Sequence, residues 1–200
     1  MPAASSPLLD PDRLANLRDA LGHRDWRELT VAEIANAVGV SRMTLHRHGV
    51  GKEEVLVALA QLLEQEFRDM ALPALAGGGT ARDRLRGALA SICLIDEKYL
   101  GVFAALSTAL EPVFHEEGDG AVLTREPFTA TLRRLLETGM EDGSIGVVED
   151  PAETATLIFN ATGHTYRHLR TGHRWPAQRA REAVVALVVD GLPGAGAEAR

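Results

Sequence analysis

The chain has 200 residues, 46% of them hydrophobic and 24% charged, a balance that allows a sizeable core and excludes a disordered chain. Its single cysteine excludes an intrachain disulfide and suits a reducing cytoplasm, and the longest apolar runs fall well short of the roughly twenty residues a membrane span needs. The net charge of −7 is unevenly placed: residues 1–52 carry seven Lys/Arg against six Asp/Glu, so the acidity belongs to the later and larger part.

Residues 1–10 read as a flexible leader, without the basic start and apolar stretch of a signal peptide. Asp10-Pro11-Asp12 offers a capping carboxylate and a proline at the first helical position. It predicts a helix to about Leu21, with Leu14, Leu17 and Leu21 on the buried face. The stretch from Thr30 to Lys52, TVAEIANAVGVSRMTLHRHGVGK, carries the strongest pattern in the chain. Thr30 and Glu33 form a capping box, and Ile34, Ala35 and Val38 give a short helix one inward face. Gly39 sits where a left-handed residue ends a helix, Ser41 can cap the next, and Leu45 points inward from it. Two helices joined by about four residues make a helix-turn-helix. From Ser41 to Lys52 there are three cations (Arg42, Arg47, Lys52), two histidines (His46, His48) and no carboxylate, the pattern of a helix that meets base edges while its flanks meet phosphate. The balance of charge over residues 1–52 is modest, so phosphate contacts per subunit are expected to be few and affinity to depend on two subunits.

This segment resembles the DNA-binding domain of the TetR family of bacterial transcriptional regulators. The family's pattern is a threonine-capped second helix, a Gly-Val-Ser turn, a helix with Thr-Leu-Tyr, and a lysine opening a long fourth helix. Here those positions read Thr30, Gly39-Val40-Ser41, Thr44-Leu45-His46 and Lys52-Glu53. Two departures stand out: His46 replaces the usual phosphate-holding tyrosine, and Gly49 stands where an aromatic or other apolar residue usually packs. Trp26 falls where the resemblance implies an aromatic that docks the first helix onto the second. The resemblance is specific over residues 12–60 and architectural beyond them. It implies DNA contacts from Thr30, Ser41, Arg42, Met43, Thr44, His46, Arg47, His48 and Lys52.

The remaining pattern is helical, with no period-2 strand and no internal repeat. A long helix is predicted from Lys52 to about Leu72, ended by Pro73 and Gly77-Gly78-Gly79. Further helices are predicted at about 81–97, 99–110, 122–140, 152–171 and 176–191, with an acidic loop HEEGDG at 115–120 and a Gly-rich tail. Asp150-Pro151 repeats the Asp-Pro start signal, and Pro127 kinks the 122–140 helix or marks its start. About nine helices make an all-α chain. By the resemblance, residues 1–52 are the helix-turn-helix DNA-binding domain and residues 53–200 an effector-binding and dimerisation domain.

Other chemistry is weaker. Gly49-Val50-Gly51-Lys52 lacks the earlier glycine, the following Ser/Thr and the preceding strand of a phosphate loop. His164 and His168 are four apart, but no carboxylate or cysteine accompanies them as in HExxH, so pocket or interface histidines are the preferred reading over a metal site. Cys93 lies in the apolar run ALASICLI, where a small buried hydrophobe is expected rather than a nucleophile. No serine has a nucleophile-elbow context and no carboxylate pair an apolar setting, so neither catalysis nor a cofactor is expected. Asn160, Thr162, His164 and Tyr166 interrupt an apolar helix; each faces a ligand cavity, bonds across a subunit interface, or is exposed.

The resulting expectation is a cytoplasmic, homodimeric regulator, read as a repressor released from a pseudo-palindromic double-stranded operator by a small, largely apolar effector. Phe103, Leu106, Phe128 and Leu132 would wall the effector cavity and Asn160 or His164 orient the ligand. Dimerisation is expected through helices 152–171 and 176–191, because AVVALVVDGL at 183–192 is apolar nearly all round and must be covered on more than one side. The rival reading is a TetR-fold small-molecule or protein-binding module that has lost operator binding.

Overall fold

The computed structural model describes residues 8–22, 24–103, 105 and 126–194, with the backbone alone at 71, 72 and 126–128. Leu106, the acidic loop at 115–120, most of the expected 99–110 helix, the first seven residues and the last six lie outside the described residues. Among the described residues the regular structure is entirely helical, in agreement with the all-α expectation. In chain order it runs α1 (Pro11–Leu21), a 3-10 turn (Trp26–Glu28), α2 (Val31–Ala37), α3 (Arg42–Arg47), α4 (Lys52–Ala76) and α5 (Ala81–Lys98). Helical residues at 100–103 and 105 follow, then α6 (Glu126–Glu141), α7 (Pro151–Thr171) and α8 (Ala177–Asp190).

Local chemistry explains most of these boundaries. Asp10 caps α1 by accepting from the Arg13 N–H at 3.0 Å, with Pro11 at the first position, where its missing N–H costs no bond. Asp150 does the same for α7, accepting from Ala152 and Glu153 at 2.8 and 2.9 Å ahead of Pro151. The end of α4 differs from expectation. Pro73 lies inside the helix, which runs on to Ala76. A proline lacks the N–H owed to the carbonyl four residues back, but its fixed φ is helical, so one lost bond need not stop the chain. The Arg84 guanidinium then satisfies a late carbonyl, donating to Leu75 O at 2.8 Å.

The described residues fall into two compact units. The first comprises residues 8–65 together with 98–105. Its core is Leu14, Leu17, Leu21, Trp26, Ile34, Leu45, Val55 and Leu59, joined by Tyr99 and Val102, all buried. The second comprises residues 66–97 and 126–194. In it α7 packs against both α6 and α8, and Leu85, Leu89, Ile92, Leu132, Leu136, Ala155, Tyr166, Val184 and Val189 form the core. Phe67 and Phe159 meet edge-to-face there, 6.0 Å between ring centroids.

Candidate nucleic-acid interface

The helix-turn-helix is fixed at both ends of each helix. At the start of α2 the capping box closes completely: Glu33 N–H donates to Thr30 Oγ1 at 3.2 Å, and Glu33 Oε2 accepts from Thr30 N–H at 2.9 Å. These bonds, with Arg24 beside it, hold the Glu33 carboxyl down to about 2. At the start of α3, Ser41 Oγ accepts from Thr44 N–H at 3.0 Å and lies 2.8 Å from Thr44 Oγ1. Both helices end in the same left-handed turn. Gly39 N–H donates to Asn36 O and Val40 N–H to Ala35 O; Gly49 N–H donates to His46 O and Val50 N–H to Leu45 O. Gly39 and Gly49 carry φ of 73° and 65°, a region open to glycine without strain. Gly49, the departure from the family pattern, is therefore the residue that ends α3, and buried Val50 beside it supplies packing.

These bonds sort the expected contact residues. Thr30 and Ser41 cap helices and Thr44 Oγ1 pairs with Ser41 Oγ, so all three hydroxyls have partners within the chain. Lys52 is also engaged: Nζ donates to the carbonyls of Trp26, Arg27 and Leu29 at 3.0, 3.3 and 2.8 Å and sits 5.4 Å from the Trp26 ring centroid. Arg42, Met43, His46, Arg47 and His48 are exposed around α3, with Leu45 as its buried anchor. Two features of this unit have no signal in local sequence. One is the Lys52 clasp. The other is the segment after α5, where the Arg18 guanidinium lies 5.4 Å from the Tyr99 ring centroid and Gly101 runs so close to the carbonyls of Gly22 and Arg24 that a Cβ would not fit.

The residues expected to line an effector cavity fall in both units and in part outside the described residues. Phe103 is half-buried in the first unit and Leu132 fully buried in the second. Leu106 and the Phe128 side chain lie outside the described residues. Asn160 and His164 are on an exposed face of α7. Asn160 Nδ2 donates back to Thr156 O at 2.9 Å, and His164 Nδ1 lies 3.2 Å from an Arg167 nitrogen. The interior polar groups of the second unit are others. Asp96, 1% exposed, pairs with Arg167 at 2.7 Å; Glu97 accepts from Tyr166 Oη at 2.7 Å and from Arg170 at 2.6 and 2.8 Å. Thr162 Oγ1 is buried with no hydrogen-bond partner among the described residues. Cys93 is buried, and desolvation pushes its thiol up to about 12, which leaves it protonated and inert. A cavity of about 420 Å³ opens between the end of α4 and the start of α5, lined by Met70, Pro73, Ala74, Arg84, Gly87 and Ser91 among others. Of the expected residues that are described, Phe103, Leu132, Asn160 and His164, none lines it.

A capped helix-turn-helix with an acid-free reading helix, followed by a second helical unit, defines the class as a helix-turn-helix DNA-binding regulator. Similarity to known proteins agrees. Residues 14–59 match the bacterial regulatory proteins of the tetR family, and residues 78–192 match the tetracyclin repressor-like C-terminal domain. The chain belongs to the TetR family of bacterial transcriptional regulators. It is 28% identical over 131 residues to the HTH-type transcriptional regulator BetI of Rhizobium meliloti (strain 1021), a match that spans 64% of this chain and 62% of that protein. Among solved structures it resembles the TetR family regulator PfmR from Thermus thermophilus (TM-score 0.64, 21% identity, 90% of this chain and 97% of that one). It also resembles the regulator FadR from Bacillus subtilis, solved in complex with stearoyl-CoA (TM-score 0.66, 15% identity, 91% and 99%). At these identities the structural likeness speaks for the fold.

Proposed function

We propose that this protein is a ligand-responsive DNA-binding repressor that acts as a homodimer in the cytoplasm and carries out no catalysis. The observation that carries the reading is the exposed surface of α3, where Arg42, Met43, His46, Arg47 and His48 surround a helix anchored only through Leu45. A dimer would present two such helices to the half-sites of a pseudo-palindromic operator, one helical turn or a multiple apart. Exposed Leu157 and Leu187, with exposed Ala161 and Ala183, support pairing through α7 and α8. A small, largely apolar effector would bind beyond the reading unit and favour a state that the operator-bound dimer does not share; it can shift the equilibrium only by its preference for that state. The effector would settle in the second unit, where Leu132 belongs to the core.

The test is a gel shift with the full chain and the DNA immediately upstream of its own gene. A specific shift that is competed by the same duplex and reversed by a small molecule supports the reading. Absence of any specific duplex binding would sink it and favour a binding module that keeps the fold without operator contact.

A further inference from the structure

Within α3, position decides which exposed side chain can reach furthest into a groove. Each residue turns the helix by about 100°, so relative to buried Leu45 both Met43 and Arg47 lie about 160° away, on either side of the outward pole. Arg42 lies only about 60° from Leu45 and His46 about 100°, so they flank the helix rather than crown it. Met43 is 68% exposed. A lone exposed apolar side chain on a surface means little. Here, however, it shares the outermost edge of the reading helix with a cation four residues on.

The chemistry of the two tips differs. A guanidinium matches the paired acceptors of guanine in the major groove. A thioether has no useful donor and a weak acceptor, so it cannot read a hydrogen-bonding edge. The one apolar group that base edges present in the major groove is the C5-methyl of thymine, and a flexible, polarizable methionine is suited to cover it.

We infer that Met43 is a specificity-determining residue that reads a thymine methyl in each operator half-site. Arg47 reads a guanine roughly two base steps away, since one helical turn advances about 5–6 Å against about 3.4 Å per base. This rests on the DNA-reading function proposed above. It makes the operator dependent on a methyl group, independently of hydrogen bonding at that position.

The probe is a duplex enriched by the full-length protein from a random-sequence library, then resynthesised with single thymines replaced by uracil, which removes only the methyl. The expected result is one position per half-site where uracil weakens binding about fourfold, the worth of a buried methyl group. Met43→Ala should bind the thymine and uracil duplexes alike, and Met43→Leu should retain the discrimination. Because Met43 is exposed, both variants should melt like the parent. A uracil penalty that persists unchanged in Met43→Ala, or no uracil-sensitive position in an enriched duplex, overturns the inference and leaves DNA reading intact. Failure to enrich any duplex overturns DNA reading itself, and the inference with it.

Discussion

Lys52 and Trp26, twenty-six positions apart, are locked together: Nζ donates to the Trp26 carbonyl at 3.0 Å and lies 5.4 Å from its ring centroid. Two more carbonyls, of Arg27 and Leu29, complete the set. An ammonium has three N–H donors, so none remains for a phosphate. The first position of α4 is thereby fastened to the turn that precedes α2. Lys52→Ala should destabilise the protein by about 1–2 kcal/mol, the worth of a few partly exposed charge-assisted bonds. It should weaken binding to every duplex alike, with the salt dependence of affinity unchanged. A salt slope flattened by about one unit would instead mark Lys52 as a phosphate contact.

The turn at Gly49 makes a second prediction. With φ at 65°, any L side chain there is strained whatever the space around it. Gly49→Ala should cost about 1–2 kcal/mol in chemical denaturation. Gly78→Ala, outside the left-handed region and in open space, should be neutral within error. Equal effects at the two sites would show that the left-handed turn does not hold the end of α3.

The legible parts of the chain are those whose chemistry is local. Thr30 with Glu33, Ser41 with Thr44, and Asp150 with Pro151 each complete a cap within three or four residues, and the helices start where those signals lie. The Lys52 clasp depends on residues more than twenty positions away, so in sequence this lysine at a helix start reads as a phosphate contact. Pro73 reads as a stop because the support for the end of α4, Arg84, comes from the next helix. On α7 the obstacle is an apolar stripe on the outside. Leu157 and Ala161 are exposed beside Asn160 and His164, so hydrophobicity does not distinguish the inner face from the outer one. The groups that do face inward, Tyr166 and Thr162, belong to the same run.

Asp96 should give the second unit a recognisable response to pH. Burial raises its carboxyl from the ordinary 3.8 to about 6, against the pull of Arg167. Between about pH 4 and 6 the folded protein therefore holds a proton that the unfolded chain has released, so this group's contribution to stability falls as pH rises through that window. Asp96→Asn removes the titration while keeping an acceptor for Arg167. The melting temperature of the wild type minus that of the variant should decrease from pH 4 to pH 7. A difference that is flat, or that grows with pH, would show the pair is not governed by desolvation.

The apolar surface of α8 divides once its own core is accounted for. Val184, Val185 and Val189 are buried within the chain, whereas Leu187 is 73% exposed and Ala183, four residues and just over one turn before it, is exposed. On α7 Leu157, 61% exposed, and Ala161 form a matching stripe. Each helix thus offers solvent a pair of apolar groups about one turn apart, and a two-fold pairing would let each stripe meet its copy. Leu157→Glu with Leu187→Glu should place like charges in the seam without touching the core. The variant should remain helical and melt as a folded protein, yet sediment as a monomer, and its affinity for a two-half-site duplex should fall to that for a single half-site. Val185→Glu, by contrast, buries an unpaired charge in the protein's own interior and should unfold it. A doubly substituted protein that still sediments as a dimer would place the seam on another face.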